Sequence, residues 1–141
     1  MFDYNCCASV MRKRLCCAAL FALIPLGALA GDVAVLNARL QHNGGGSWRA
    51  EVTLEHADSG WDHYADAWRV VSKDGVVYGV RTLLHPHESE QPFTRSQSGI
   101  MIPKAETTVF IEAHDKVHGW ARQRLQVDLS KALDGKLQVS R

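Results

Sequence analysis

The chain has 141 residues, 16 Lys and Arg against 15 Asp and Glu, seven histidines and four cysteines. Three of the basic residues and one of the acidic ones precede Gly31, which leaves 13 against 14 in residues 31–141. That near-neutral, interspersed balance has no basic stripe and excludes nucleic acid or an anionic membrane surface as the main electrostatic partner.

The first thirty residues read as an export signal. Met11-Arg12-Lys13-Arg14 forms a basic segment, an apolar stretch runs over residues 15–26, and Ala28-Leu29-Ala30 supplies small residues for cleavage before Gly31. Met11 is an alternative start, because the ten residues before it add nothing that a signal requires. The apolar stretch is shorter than the roughly 20 residues of a spanning helix, so no stable membrane insertion is expected after cleavage. Cys6, Cys7, Cys16 and Cys17 all lie in this segment. Cys16 and Cys17 do not follow the apolar run, which sets a lipid-modified amino terminus aside. Residues 31–141 then hold no disulfide, no thiolate ligand and no cysteine nucleophile.

From Val33 onward the apolar period is two. Val33, Val35, Asn37 and Leu40 lead through Asn43-Gly44-Gly45-Gly46 into Trp48, Ala50, Val52 and Leu54, an expected antiparallel hairpin. Trp68, Val70 and Val71 form a third strand that turns at Asp74-Gly75 into a fourth over residues 76–84. A long polar loop precedes a short strand at Ile100 and Ile102. Val109, Ile111 and Ala113 share one face of the next strand, and Leu125, Val127 and Leu129 close the series. The last twelve residues are expected to form a turn and a loosely held strand. About seven short strands without a helix predict a single all-β domain over residues 31–141, an immunoglobulin-like or fibronectin-type antiparallel sandwich; a small Greek-key barrel is the alternative. Trp48 and Trp68 are expected in its core.

Six histidines fall in three pairs at strand ends: His56 with His63, His85 with His87, and His114 with His118. If the strands alternate in direction, the loops 57–66, 85–98 and 115–122 share one pole and His42 lies at the other. Imidazole is the commonest metal ligand, so His85, His87, His63, His118, His114 and His56 are the candidate ligands. His85 and His87 come first, because Pro86 stiffens the backbone between them. His56 reads more simply as a solvated strand-end histidine. Asp58, Asp62, Glu88 or Asp115 would orient the rings. Without cysteine, and with Met101 the only methionine after the signal, Zn(II) or Cu(II) fits better than Cu(I). Asp62, Tyr64, Trp61, Glu88, Arg95, Asp115 and Trp120 complete a candidate binding surface. An architectural reading stands beside this one: Trp61 would plug the sandwich end, Phe93 would pack inward and Arg95 would pair with Glu88 or Glu90. No strained Gly-x-Ser-x-Gly elbow and no HExxH helix is present, so metal-assisted chemistry is the enzymatic option left open.

The segments Gly60-Trp61-Asp62-His63-Tyr64-Ala65-Asp66, His85-Pro86-His87, Glu90-Gln91-Pro92-Phe93-Thr94-Arg95 and Val117-His118-Gly119 resemble a family of small exported bacterial proteins of unknown function. The likeness covers about half of the chain after the signal; it implies one periplasmic β domain and lends no catalytic residue. Val117-His118-Gly119 also resembles a segment of Cu/Zn superoxide dismutases, over three residues and without the disulfide of that family. Blue-copper proteins need a cysteine ligand, and histidine-brace enzymes need a terminal histidine where cleavage here exposes Gly31. The expected function is a periplasmic or secreted protein whose histidine pole binds a divalent metal for storage, delivery or sensing. The alternatives are a metal-free module for a periplasmic protein partner or small ligand, and a metal-dependent enzyme.

Overall fold

The computed structural model describes residues 31–141. The predicted signal, its cleavage motif and the alternative start at Met11 lie outside the described residues. Nine strands follow in order: β1 Ala34–His42, β2 Ser47–Glu55, β3 Ala65–Val71, β4 Val77–Thr82, β5 Phe93–Met101, β6 Thr108–Asp115, β7 Gly119–Trp120, β8 Leu125–Asp128 and β9 Lys136–Ser140. A short 3-10 helix, Leu129–Lys131, capped by the Asp128 side chain, links β8 to β9.

The strands form two antiparallel sheets. One has the order β5-β2-β1-β9; the other runs β4-β3-β6 and is completed by β7 and β8, which pair with successive parts of the same edge of β6. The expected sandwich is therefore present, and two separate sheets replace the closed barrel that was its alternative. Chain crossings between sheets fall after β2, β4, β5 and β8. Alternate residues of both sheets meet in one core built around Trp68, Phe93, Leu40, Leu54, Ile100 and Ile111, all nearly inaccessible. Burying such side chains supplies roughly 1.5–3 kcal/mol each, which is what holds a cysteine-free domain together.

Three details depart from the sequence reading. A bulge between Val35 and Asn37 shifts the phase of β1, so that Ala38 and Leu40, not Asn37, continue the buried face. β5 begins at Phe93 instead of Ile100, which turns half of the expected polar loop into strand. The tail pairs along β1 from Asn37↔Ser140 to Gln41↔Lys136 and adds a regular edge strand.

The directions of β2, β4 and β6 bring their C-terminal ends to one pole, as alternation predicts. The loops after β2 and β4 hold Asp58 and His87, Asp115 ends β6, and Gly31, which leads into β1, reaches the same end. His42 stacks on Trp48 at the opposite pole, with ring centroids 4.9 Å apart.

Candidate metal centre

Two buried carboxylates organise the pole. Asp58, whose side chain is fully inaccessible, sits where the chain leaves β2. Its Oδ1 accepts from the Ala65 backbone N–H at 3.0 Å and faces His56 Nδ1 at 2.6 Å. Its Oδ2 accepts from the His87 N–H at 2.7 Å. One carboxylate thus ties the end of β2, the start of β3 and the loop after β4. The Gln91 side chain adds a second tie, accepting from the His56 N–H and donating to the His87 carbonyl, each at 3.1 Å.

Asp115, the last residue of β6, is also fully buried. Its Oδ1 accepts from the N–H groups of Val117 at 2.9 Å and His118 at 2.8 Å and from His118 Nδ1 at 3.0 Å. Burial works against its ionisation, but the backbone donors of His118 and Val117 and the His118 imidazole outweigh it and hold the carboxyl below its ordinary range. Asp115 is therefore an anion at neutral pH. Its Oδ2 is buried without a hydrogen-bond partner in the protein.

His63 Nε2 lies between these groups, 3.7 Å from Asp115 Oδ1 and likewise without a partner. The His63 ring stands edge-on to His56, centroids 4.9 Å apart, and to His118, 5.2 Å apart. His56, His63 and Asp115 each offer one donor atom, and the three atoms lie within 4.8 Å of one another. Ligands about 2 Å from a tetrahedral ion stand about 3.3 Å apart, so modest side-chain rotation brings the set onto one ion. His56 Nδ1 faces Asp58, and its Nε2 faces the Gly31 carbonyl at 3.1 Å. His118, on Asp115, and His114, whose Nδ1 faces Asp66 Oδ1 at 2.5 Å, likewise hold a carboxylate on Nδ1. A carboxylate on one ring nitrogen is the support that metal-ligating histidines ordinarily have. Two imidazoles with one carboxylate suit Zn(II) with a position left for water, and equally Fe(II).

The other predicted residues are distributed less simply. His85 is exposed and its ring lies 4.6 Å from that of His87, outside the cluster of three. His87 is buried and stacks on Phe93 at 3.9 Å, with neither ring nitrogen partnered. Its burial, with Arg95 and His85 nearby, lowers its pKa and keeps it neutral, so His87 acts as part of the core's end. The pair favoured from sequence thus stands apart from the cluster of His56, His63 and Asp115, with His87 stacked on Phe93. His56, expected to be solvated, is buried between Asp58 and the Gly31 carbonyl, which lies 3.1 Å from its Nε2.

His114 packs against Trp120, centroids 4.9 Å apart, and Arg69 covers the Trp120 ring from 3.7 Å. Trp61 does not plug the sandwich: it is 64% exposed, and Tyr64, packed edge-on against it at 6.0 Å, is the buried ring. Lys116 Nζ donates to the Trp61 carbonyl at 2.9 Å. Asp62 and Glu88 are exposed. Phe93 packs inward, and Arg95 pairs with Glu90 at 2.8 Å. Asp66, expected at this pole, turns out to be the carboxylate behind His114, and Gly31 escaped the reading of the site, although its position after a cleavage motif was the available signal.

A protein of Halomicrobium mukohataei described as a candidate lipoprotein is 44% identical to this chain over 94 residues, covering 67% of this chain and 46% of that protein. The chain therefore spans less than half the length of this relative. No known protein family matches the chain, and no solved structure does. Among the described residues, no helix is long and apolar enough to cross a membrane.

Proposed function

We propose that the protein is an exported metal-binding domain that takes one divalent transition ion, Zn(II) or Cu(II), between His56, His63 and Asp115, for storage, delivery or sensing. The observation that carries this reading is the cluster of His56, His63 and Asp115, with donor atoms within 4.8 Å of one another, in which His63 Nε2 and Asp115 Oδ2 are each buried without a hydrogen-bond partner. Leaving such atoms unmatched costs roughly 1–3 kcal/mol each, a cost that an ion removes. His118 holds Asp115 in place from beside the cluster, its Nδ1 3.0 Å from Asp115 Oδ1. Export rests on the signal-like segment and agrees with a relative described as a candidate lipoprotein. A periplasmic or secreted location, and membership of the family of small exported bacterial proteins, belong to the same proposal.

Calorimetric titration of the untagged protein with Zn(II), Cu(II) and, without oxygen, Fe(II) tests the reading. One site of micromolar or tighter affinity, lost on His63→Ala, is expected. Absence of a specific site for all three ions would overturn it. Ligation needs neutral imidazole, so affinity should fall steeply below about pH 6.

A second reading has its own support: Trp61 and Val117 are 64% and 58% exposed at this pole. Large apolar side chains left in water beside a polar cluster suit contact with a protein partner. In that case Trp61→Ala would abolish capture of the partner and leave the metal titration unchanged.

A further inference from the structure

Gly31, the residue that follows the cleavage motif, stands inside the histidine cluster. Its carbonyl oxygen is 3.1 Å from His56 Nε2. A Cβ on Gly31 would fall 2.8 Å from His118 Cε1 and 2.9 Å from His118 Nε2, so the His118 ring closes directly over its α-carbon. His56 and His118 in turn flank His63. The first residue of the predicted processed chain is thus in contact with two of the three histidines that surround Asp115.

His56 links this contact to the rest of the cluster. Its Nδ1 faces Asp58 Oδ1 at 2.6 Å and its Nε2 faces the Gly31 carbonyl at 3.1 Å, so one imidazole joins the buried carboxylate to the backbone of the residue that follows the cleavage motif. Ligands about 2 Å from a tetrahedral ion stand about 3.3 Å apart, so His56 Nε2 and the Gly31 oxygen lie near the spacing that two ligands of one ion have.

We propose that removal of the leader completes the metal site, the α-amino nitrogen and carbonyl oxygen of Gly31 chelating the ion held by His56, His63 and Asp115. The inference rests on the metal-binding reading above and extends its ligand set. Before cleavage the Gly31 nitrogen belongs to a planar amide, whose lone pair is delocalised into the carbonyl and is a poor ligand. Hydrolysis of the Ala30–Gly31 bond frees an amine that, after releasing its proton to solvent, donates a localised pair. Nitrogen and oxygen of one residue close a five-membered chelate ring. Glycine suits the position because the His118 ring occupies the space of a side chain. The precursor would therefore bind the ion weakly, and full affinity would arise only once the chain has been exported and trimmed.

The test compares two forms released from a cleavable fusion, one beginning at Gly31 and one retaining Leu29-Ala30 ahead of it. Both contain residues 31–141 and hence the whole described core. Titration with Zn(II) and Cu(II) should show one equivalent bound at least tenfold more tightly by the Gly31 form, with binding lost from both on His63→Ala. Equal affinities would overturn the role of the amine and leave the histidine–carboxylate site standing. No specific binding by either form would overturn both proposals together. Intact mass of the full chain after export provides an independent arm: a chain starting at Gly31 is expected, and one starting at an acylated cysteine would overturn the inference.

Discussion

His63 is the cluster histidine with the least structural duty. Its ring is partly exposed and its Nε2 is unpartnered, so His63→Ala should change unfolding free energy by less than about 1 kcal/mol while removing metal binding. Chemical denaturation and calorimetry on the same sample separate the two effects. Asp58 is the opposite case. Asp58→Ala removes the acceptor for two backbone N–H groups and one imidazole, and should cost about 3 kcal/mol, read from the urea midpoint without metal. His87 offers a pH test. Its folded pKa is lowered by burial, so the unfolded chain takes up the proton more readily; the neutral ring's contribution is present above about pH 6.5 and is lost as pH falls through the lowered value. His87→Phe keeps a flat ring on Phe93, and the variant should lose less stability than the wild type between pH 7 and pH 5. Asp115 has the reverse charge type: its contribution persists above the ordinary carboxyl range and is lost only under stronger acid. At this scale the sequence named His56, His63 and Asp115, whose donor atoms the fold brings together. It could not rank the pairs, because spacing alone does not tell which rings turn inward; Phe93 claimed His87, and Asp58 claimed His56.

Period-two alternation located β1, β2, β3, β6 and β8, since each has a buried face set against a polar one; β4, which has no buried residue, was placed by the Asp74-Gly75 turn before it. It missed the first half of β5, where Thr94-Arg95-Ser96-Gln97-Ser98 is polar on both faces. That run forms an edge strand, and its side chains bond sideways to β2: Thr94 to Thr53 at 2.8 Å, and Ser96 and Ser98 to Arg49 at 2.8 and 3.1 Å. A strand held by lateral hydrogen bonds leaves little hydrophobic pattern to read. The same edge meets β4 across the sandwich, where a Cβ on Gly79 would fall 2.9 Å from Ile100 Cγ1. Gly79→Ala should therefore destabilise the protein by about 1–2 kcal/mol through overpacking. In an Ile100→Ala background that cost should vanish, a coupling of about 1 kcal/mol measurable by a double-mutant cycle of unfolding midpoints.

For the molecule as a whole, the site lies where both sheets end at one pole, beyond the core they share. His56 follows β2 of one sheet, Asp115 ends β6 of the other, and His63 lies on the crossing between them. An ion bound there fastens the two sheets at one end. At a free ion concentration one hundred times Kd, linkage adds about 2.7 kcal/mol, which for a domain of this size raises Tm on the order of 10 °C. Scanning calorimetry should show that rise in the wild type and none in His63→Ala. The far end of the sandwich is built on other terms. Gly44 and Gly45 adopt φ of 91° and 60° in the hairpin between β1 and β2, and a Cβ on either would meet nothing within 4 Å. A chain that turns there through open solvent accepts inserted sequence without disturbing any packed neighbour. A fluorescent domain spliced between these two glycines would ride at the end away from His56, His63 and Asp115, tagging the protein while leaving that cluster bare.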